Sequence, residues 1–183
     1  MSIYPTPSEH KKLLAFASGQ DSPRLGSQTR EEMNGNVNIF LSNVLFHIKG
    51  KDITEKKVID AITESRYFPN NAKAIRVMKQ VNFNLSISSD RFKKLVELVN
   101  TKRIYNNYKR PLLSKDAKFT KDAMKTLQMF TEIYIMRRYL AAMNLSRRIA
   151  KRKTIKPKNI HMTYLLNPRL VNYISRINNN ESD

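Results

Sequence analysis

The chain has 183 residues, room for one domain or two small ones, and its 34 Lys+Arg against 15 Asp+Glu leave a net charge of +19. That excess points to a polyanionic partner, nucleic acid first and an anionic membrane second. The lack of cysteine excludes disulfides and Cys-ligated metal sites, and agrees with an intracellular setting. No apolar run approaches the about eighteen residues that a spanning helix needs, and the first ten residues, MSIYPTPSEH, lack the apolar centre of a signal peptide. Glycine is scarce and strand-like alternation is rare, so the expected fold is all-α.

Residues 1–7, with Pro5 and Pro7, read as disordered. A short helix is expected over Ser8–Ser18, capped by Ser8, with Leu13, Leu14 and Phe16 apolar. A loop of Gly, Ser, Asp and Pro spans Gly19–Gln28. A longer helix follows over Thr29–Ile48, its stripe formed by Met33, Val37, Phe40, Leu41, Val44, Leu45 and Ile48. Gly35 inside it costs about 1 kcal/mol relative to Ala, which suggests close packing at that point. Lys49-Gly50-Lys51 breaks the helix, Asp52–Thr54 extends, and Glu55–Ser65 forms a short helix with Val58, Ile59 and Ile62 apolar. Phe68–Val81 suits one further helix.

Residues 82–87 form a connection too short to be a loose tether. Ser88 or Ser89 caps a helix running to about Asn100, and a long loop covers Thr101–Lys118. The segment Phe119–Tyr164 then dominates the chain. Ala123, Met124, Leu127, Phe130, Thr131, Tyr134, Ile135, Ala141, Ala142, Leu145 and Ile149 recur at spacings of three and four, marking one amphipathic helix from Thr120 to Ala150, with Arg138 as an interruption. Lys151-Arg152-Lys153 ends it, and Pro157 keeps Lys156 out of helical dihedrals. A short helix follows with Ile160, Met162 and Leu165 or Leu166 inward. Asn167-Pro168 opens a terminal helix to about Ile177, and residues 179–183 read as disordered.

Long helix, basic extended loop and short helix are the parts of a histone fold, and KRKTIKPKNIHM resembles the second loop and third helix of core histones. The first half repeats this architecture: MNGNVNIFLSNVLFHI and DITEKKVIDAI resemble histone two-B, which also has an extra helix like Phe68–Val81. The second half, through its ending, resembles histone two-A, although histone three is similar around Leu127-Gln128 and Tyr134. Fused in this order, the halves resemble the histone doublets of some giant DNA viruses. The resemblance implies two tandem histone folds, 8–81 and 88–178, pairing intramolecularly as a histone-like dimer. It further implies a DNA-packaging role in a nucleosome-like particle, completed by a second histone pair resembling three and four, in a virion and a host nucleus or cytoplasmic viral factory. The long Lys-rich tails of cellular histones are missing. Where two-A carries an acidic docking patch, this chain has Arg138, Ala141, Pro168 and Arg169, with Arg137 and Arg138 expected to reach solvent.

The candidate DNA-binding residues lie at loops and helix starts. In the first repeat they are Arg24, Arg30, Lys49 and Lys51. In the second they are Arg91, Lys94, Lys102, Arg103, Lys109, Arg110, Lys115, Lys151, Arg152, Lys153 and Thr154. Residues 86–183 carry 22 of the 34 cations and 7 of the 15 carboxylates, so the second half should supply most contacts. Tyr105 and Tyr108 pack the long loop or stack on bases. Phe130, Tyr134, Met136 and Met143 read as core or dimer interface. His10, His47 and His161 are too far apart in sequence to suggest a metal site and read as surface groups. No nucleophile pairs with a general base and no Gly-rich phosphate loop occurs, so neither an enzyme, a cofactor nor a small-molecule substrate is expected. The competing classes are a histone-fold subunit of a transcription or replication factor and a basic RNA-binding protein.

Overall fold

The structure, a computed structural model, describes residues 2–18, 23–65, 84–101, 111–149 and 151–165. Among these residues lie six α-helices: α1 Pro7–Ser18, α2 Ser27–His47, α3 Glu55–Glu64, α4 Ser89–Thr101, α5 Lys121–Asn144 and α6 Pro157–Leu165. Four two-residue strands lie between them: β1 Arg24–Leu25, β2 Asp52–Ile53, β3 Lys118–Phe119 and β4 Thr154–Ile155. The expected helices at Phe68–Val81 and Asn167–Ile177, with the termini beyond them, lie outside the described residues.

Short polar side chains start four of these helices by satisfying first amides. The amide of Thr6 donates to the Glu9 carboxylate at 2.7 Å while the Glu9 amide donates to the Thr6 hydroxyl at 3.2 Å. This reciprocal pair corrects the expected Ser8 cap: α1 begins at Pro7, whose missing N–H costs nothing there. Residues 2–6, read above as disordered, are placed; Pro5 is buried, and Asn38 donates to the Tyr4 hydroxyl at 2.7 Å. Thr54 caps α3, accepting from the Lys57 amide at 3.4 Å. Ser88 caps α4 (Arg91 amide, 3.3 Å) and Thr120 caps α5 (Ala123 amide, 3.1 Å). The long helix does not run unbroken to Ala150: after Asn144 it widens into a π-helical turn, Leu145–Ile149.

The described residues fall into two compact units. The first comprises Met1–Tyr4 and Val37–Glu132. Its core is built from Val37, Phe40, Leu41, Val44 and Leu45 of α2, Ile53, Val58 and Ile62, Phe92, Leu95 and Val96 of α4, and Ala123, Leu127 and Phe130 of α5. Burying such a side chain fully contributes about 1.5–3 kcal/mol. β2 and β3 pair in parallel, Asp52 opposite Lys118 and Ile53 opposite Phe119. Glu132 is wholly buried here, accepting from the amides of Ser86 (2.6 Å) and Ile87 (3.4 Å) and from Gln128 Nε2 (3.0 Å). It therefore ties the chain ahead of α4 to α5.

The second unit comprises Pro5–Asn36 and Ile133–Asp183. Leu13, Leu14, Met33, Ile135, Tyr139, Ala142, Ile155 and Ile160 fill its core, with Tyr134, Met136 and Met143 also buried as expected. β1 and β4 pair in parallel, Arg24 opposite Thr154 and Leu25 opposite Ile155. Four expectations are corrected here or on α2. His10 is not a surface group: it is fully buried, 3.0 Å from Asn34 Oδ1 through Nε2 and 2.7 Å from the Tyr139 hydroxyl through Nδ1. Arg138 does not reach solvent; its guanidinium donates to Asn36 Oδ1 and, at 3.3 Å, to the Ile160 carbonyl, and lies over the Tyr134 ring. Met162 and Phe16 are exposed, and Thr163 takes the inward place beside Ile160. A Cβ on Gly35 would meet nothing within 4 Å, so close packing does not explain that glycine.

Candidate nucleic-acid interface

In the second unit the π-helical turn sets the geometry of the basic loop. The Arg152 amide reaches back to the Ser146 carbonyl at 2.9 Å, a helix-ending bond that spans six residues and leaves Lys151 left-handed at φ 49°. The Ser146 hydroxyl holds the next stretch through the carbonyls of Arg152 (3.1 Å) and Thr154 (2.8 Å). The loop then runs alongside β1: the Arg24 amide donates to the Lys153 carbonyl at 3.3 Å, and the buried Thr29 hydroxyl donates to the Ile155 carbonyl at 2.9 Å. With the main chain so occupied, the side chains of Arg24, Lys151, Arg152 and Lys153 are exposed and Thr154 half-buried. Arg30 is half-buried, and its Nη1 donates to the Leu25 carbonyl at 3.1 Å, where it pins the first loop.

The first unit carries a comparable edge. The Lys118 amide donates to the Lys51 carbonyl at 2.7 Å and the Thr120 amide to the Ile53 carbonyl at 3.0 Å. Gly50, at φ 87°, makes the left-handed turn between helix and strand, and Lys57 Nζ closes on the Asp52 carbonyl at 2.7 Å. Lys49, Lys51, Lys115 and Lys118 are exposed around this strand pair, with the carboxylates of Asp52 and Asp116 also exposed.

Each edge thus gathers cations from stretches far apart in sequence: Arg24 with Lys151, Arg152 and Lys153, and Lys49 and Lys51 with Lys115. Arg91, half-buried, and Lys94, exposed, lie on α4. Lys102, Arg103, Lys109 and Arg110, with Tyr105 and Tyr108, lie outside the described residues. Sequence reasoning passed over Lys118. A two-residue strand shows no alternation to detect, and the usable signal was its place just before the Thr120 cap.

The burial of His10 lowers its pKa to about 4, with the Asn34 hydrogen bond and Glu9 opposing and Arg30 adding to the drop. Burial likewise pushes the Tyr139 hydroxyl up. Both groups belong to the interior and not to the basic edge. Among the described residues, no group of His, Asp and Glu is arranged to hold a metal ion, and no helix is long and apolar enough to cross a membrane.

No curated protein and no solved structure matches the chain. Residues 79–166 match the family model of the core histone domain, the one shared by histones two-A, two-B, three and four. That span runs from before α4 through α5 and the basic loop to the end of α6. Over residues 79–166 this mostly helical chain is therefore similar to the core histone fold domain.

Proposed function

We propose that residues 8–81 form a second histone fold and that the two repeats pair within one chain, making a fused histone dimer that binds duplex DNA without regard to sequence. The observation that carries this reading is the pair of parallel strand contacts, β1 with β4 and β2 with β3. Each joins a loop of the first repeat to a loop of the second and sets their cations side by side. Paired loops of this kind offer clustered positive charge together with exposed Arg side chains, the equipment for backbone and minor-groove contacts that read no bases. By its resemblance to two-B and two-A, the protein acts as a packaging histone in a nucleosome-like particle and recruits a second pair resembling histones three and four. A virion, a host nucleus or a viral factory are its proposed locations.

The test is a salt titration of DNA binding with Lys151, Arg152 and Lys153 changed together to Ala. Affinity should fall similarly on unrelated sequences, and the log–log salt slope should flatten by about 0.9 for each lost phosphate contact. A loss confined to one DNA sequence points instead to a site-specific factor. Nuclease digestion of the native complex separates packaging from mere binding, because only wrapping leaves a regular protected length.

A further inference from the structure

Resting on the paired-repeat reading, we infer that the buried contact between Asn36 and Arg138 makes the two repeats choose one another and reject their own kind in a second copy of the chain. Arg138, on α5 in the second repeat, donates to Asn36, on α2 in the first. Both are buried, at 7% and 4% exposure. The next residue, Tyr139, is joined to His10 of the first repeat. Two adjacent polar side chains of one repeat therefore each have a partner in the other.

The matching places in the exchanged arrangement are apolar. The first-loop strands align Leu25 with Phe119, and the helices after them start in step at Ser27 and Lys121. Counting on, Asn36 corresponds to Phe130 and Arg138 to Val44, and both of these lie in the core of the first unit at 1% and 0% exposure. One end of the pairing thus holds Asn and Arg, and the other holds Phe and Val. Two first repeats brought together would set Asn36 against Val44. Two second repeats would set Arg138 against Phe130. Arg138 would keep the Ile160 carbonyl and the Tyr134 ring, which belong to its own repeat, but would lose Asn36. A buried polar or charged group facing a hydrocarbon wall is costly, and only the mixed pairing avoids it at both ends.

The test uses the full chain, whose lack of cysteine makes an introduced disulfide unambiguous. Asp52→Cys with Lys118→Cys places thiols on directly paired strand residues, about 5 Å apart between backbones, a span that a disulfide bridges. In that background two further double variants are refolded: Asn36→Leu with Arg138→Met, and Asn36→Phe with Arg138→Val, which copies the apolar end. Refolding is done near 1 mM protein, roughly the local concentration that a short connection imposes. The parent should be monomeric and fully crosslinked within the chain. A variant that folds, by circular dichroism, should show a roughly tenfold larger uncrosslinked fraction with dimer mass by light scattering, a preference change of about 1.4 kcal/mol. Folded variants that stay monomeric and crosslinked, or that crosslink between chains, overturn the inference. So does a failure of both variants to fold, since a pair needed only for partner choice is dispensable to folding. A parent that does not crosslink within the chain overturns the paired-repeat reading itself.

Discussion

Nε2 of His10 donates to Asn34 Oδ1, which can only accept, and in the neutral ring Nδ1 accepts from the Tyr139 hydroxyl 2.7 Å away. Burial favours that neutral imidazole, lowering the His10 pKa to about 4. The unfolded chain takes up a proton near the ordinary value of 6.5 and the folded chain does not. Stability from this site is therefore complete above about pH 6.5 and is lost as pH falls toward 4, by about 3 kcal/mol in all. Urea unfolding at pH 7 and pH 4.5 checks it: His10→Gln should flatten the acid loss seen in the parent. Equal losses in both proteins would place the acid sensitivity elsewhere.

Gly35 sits inside α2 with open space where a Cβ would be. Alanine there should therefore gain about 1 kcal/mol from helix propensity and lower chain entropy. Gly35→Ala is expected to raise the urea midpoint with no change in the slope of the transition. A fall in stability would mean that the site is tighter than its surroundings show.

Lys151 holds a left-handed conformation that glycine adopts freely, at φ 49°. Lys151→Gly should stabilise the fold by about 1 kcal/mol. It should also lose one phosphate contact, seen as a salt slope flatter by about 0.9. Lys151→Ala should show the same slope change without the gain in stability. The comparison separates the residue's charge from its conformational cost.

Glu132 accepts from the Ser86 and Ile87 amides in a fully buried position. Glu132→Ala removes these acceptors and should destabilise the protein by about 2–3 kcal/mol. Proteolysis between residues 84 and 88 should then speed up, because the Glu132 carboxylate holds that stretch. Glu132→Gln keeps one acceptor oxygen and should lose less.

Among the described residues, sequence by itself determined the helices and their order. Spacings of three and four placed α2 and α5, and the short polar pair Ser88 and Ser89 placed the start of α4, because both signals act between residues one or two turns apart. It also marked Lys151, Arg152 and Lys153 as exposed charge. What only the tertiary structure decided were the fates of polar residues on or beside the apolar stripe. Arg138 read as an interruption, yet it and Glu132 beside the same stripe are buried. Asn36, which accepts from Arg138, and Ser86, whose amide donates to Glu132, stand 102 and 46 positions away. His10 read as a surface group because its partner Tyr139 is 129 positions off. The same holds for the strands: two residues carry no periodic pattern, and a backbone becomes a strand only when another chain segment arrives to bond it. Periodicity reports which face of a helix avoids water, while the partners of its polar groups are set by packing between distant segments.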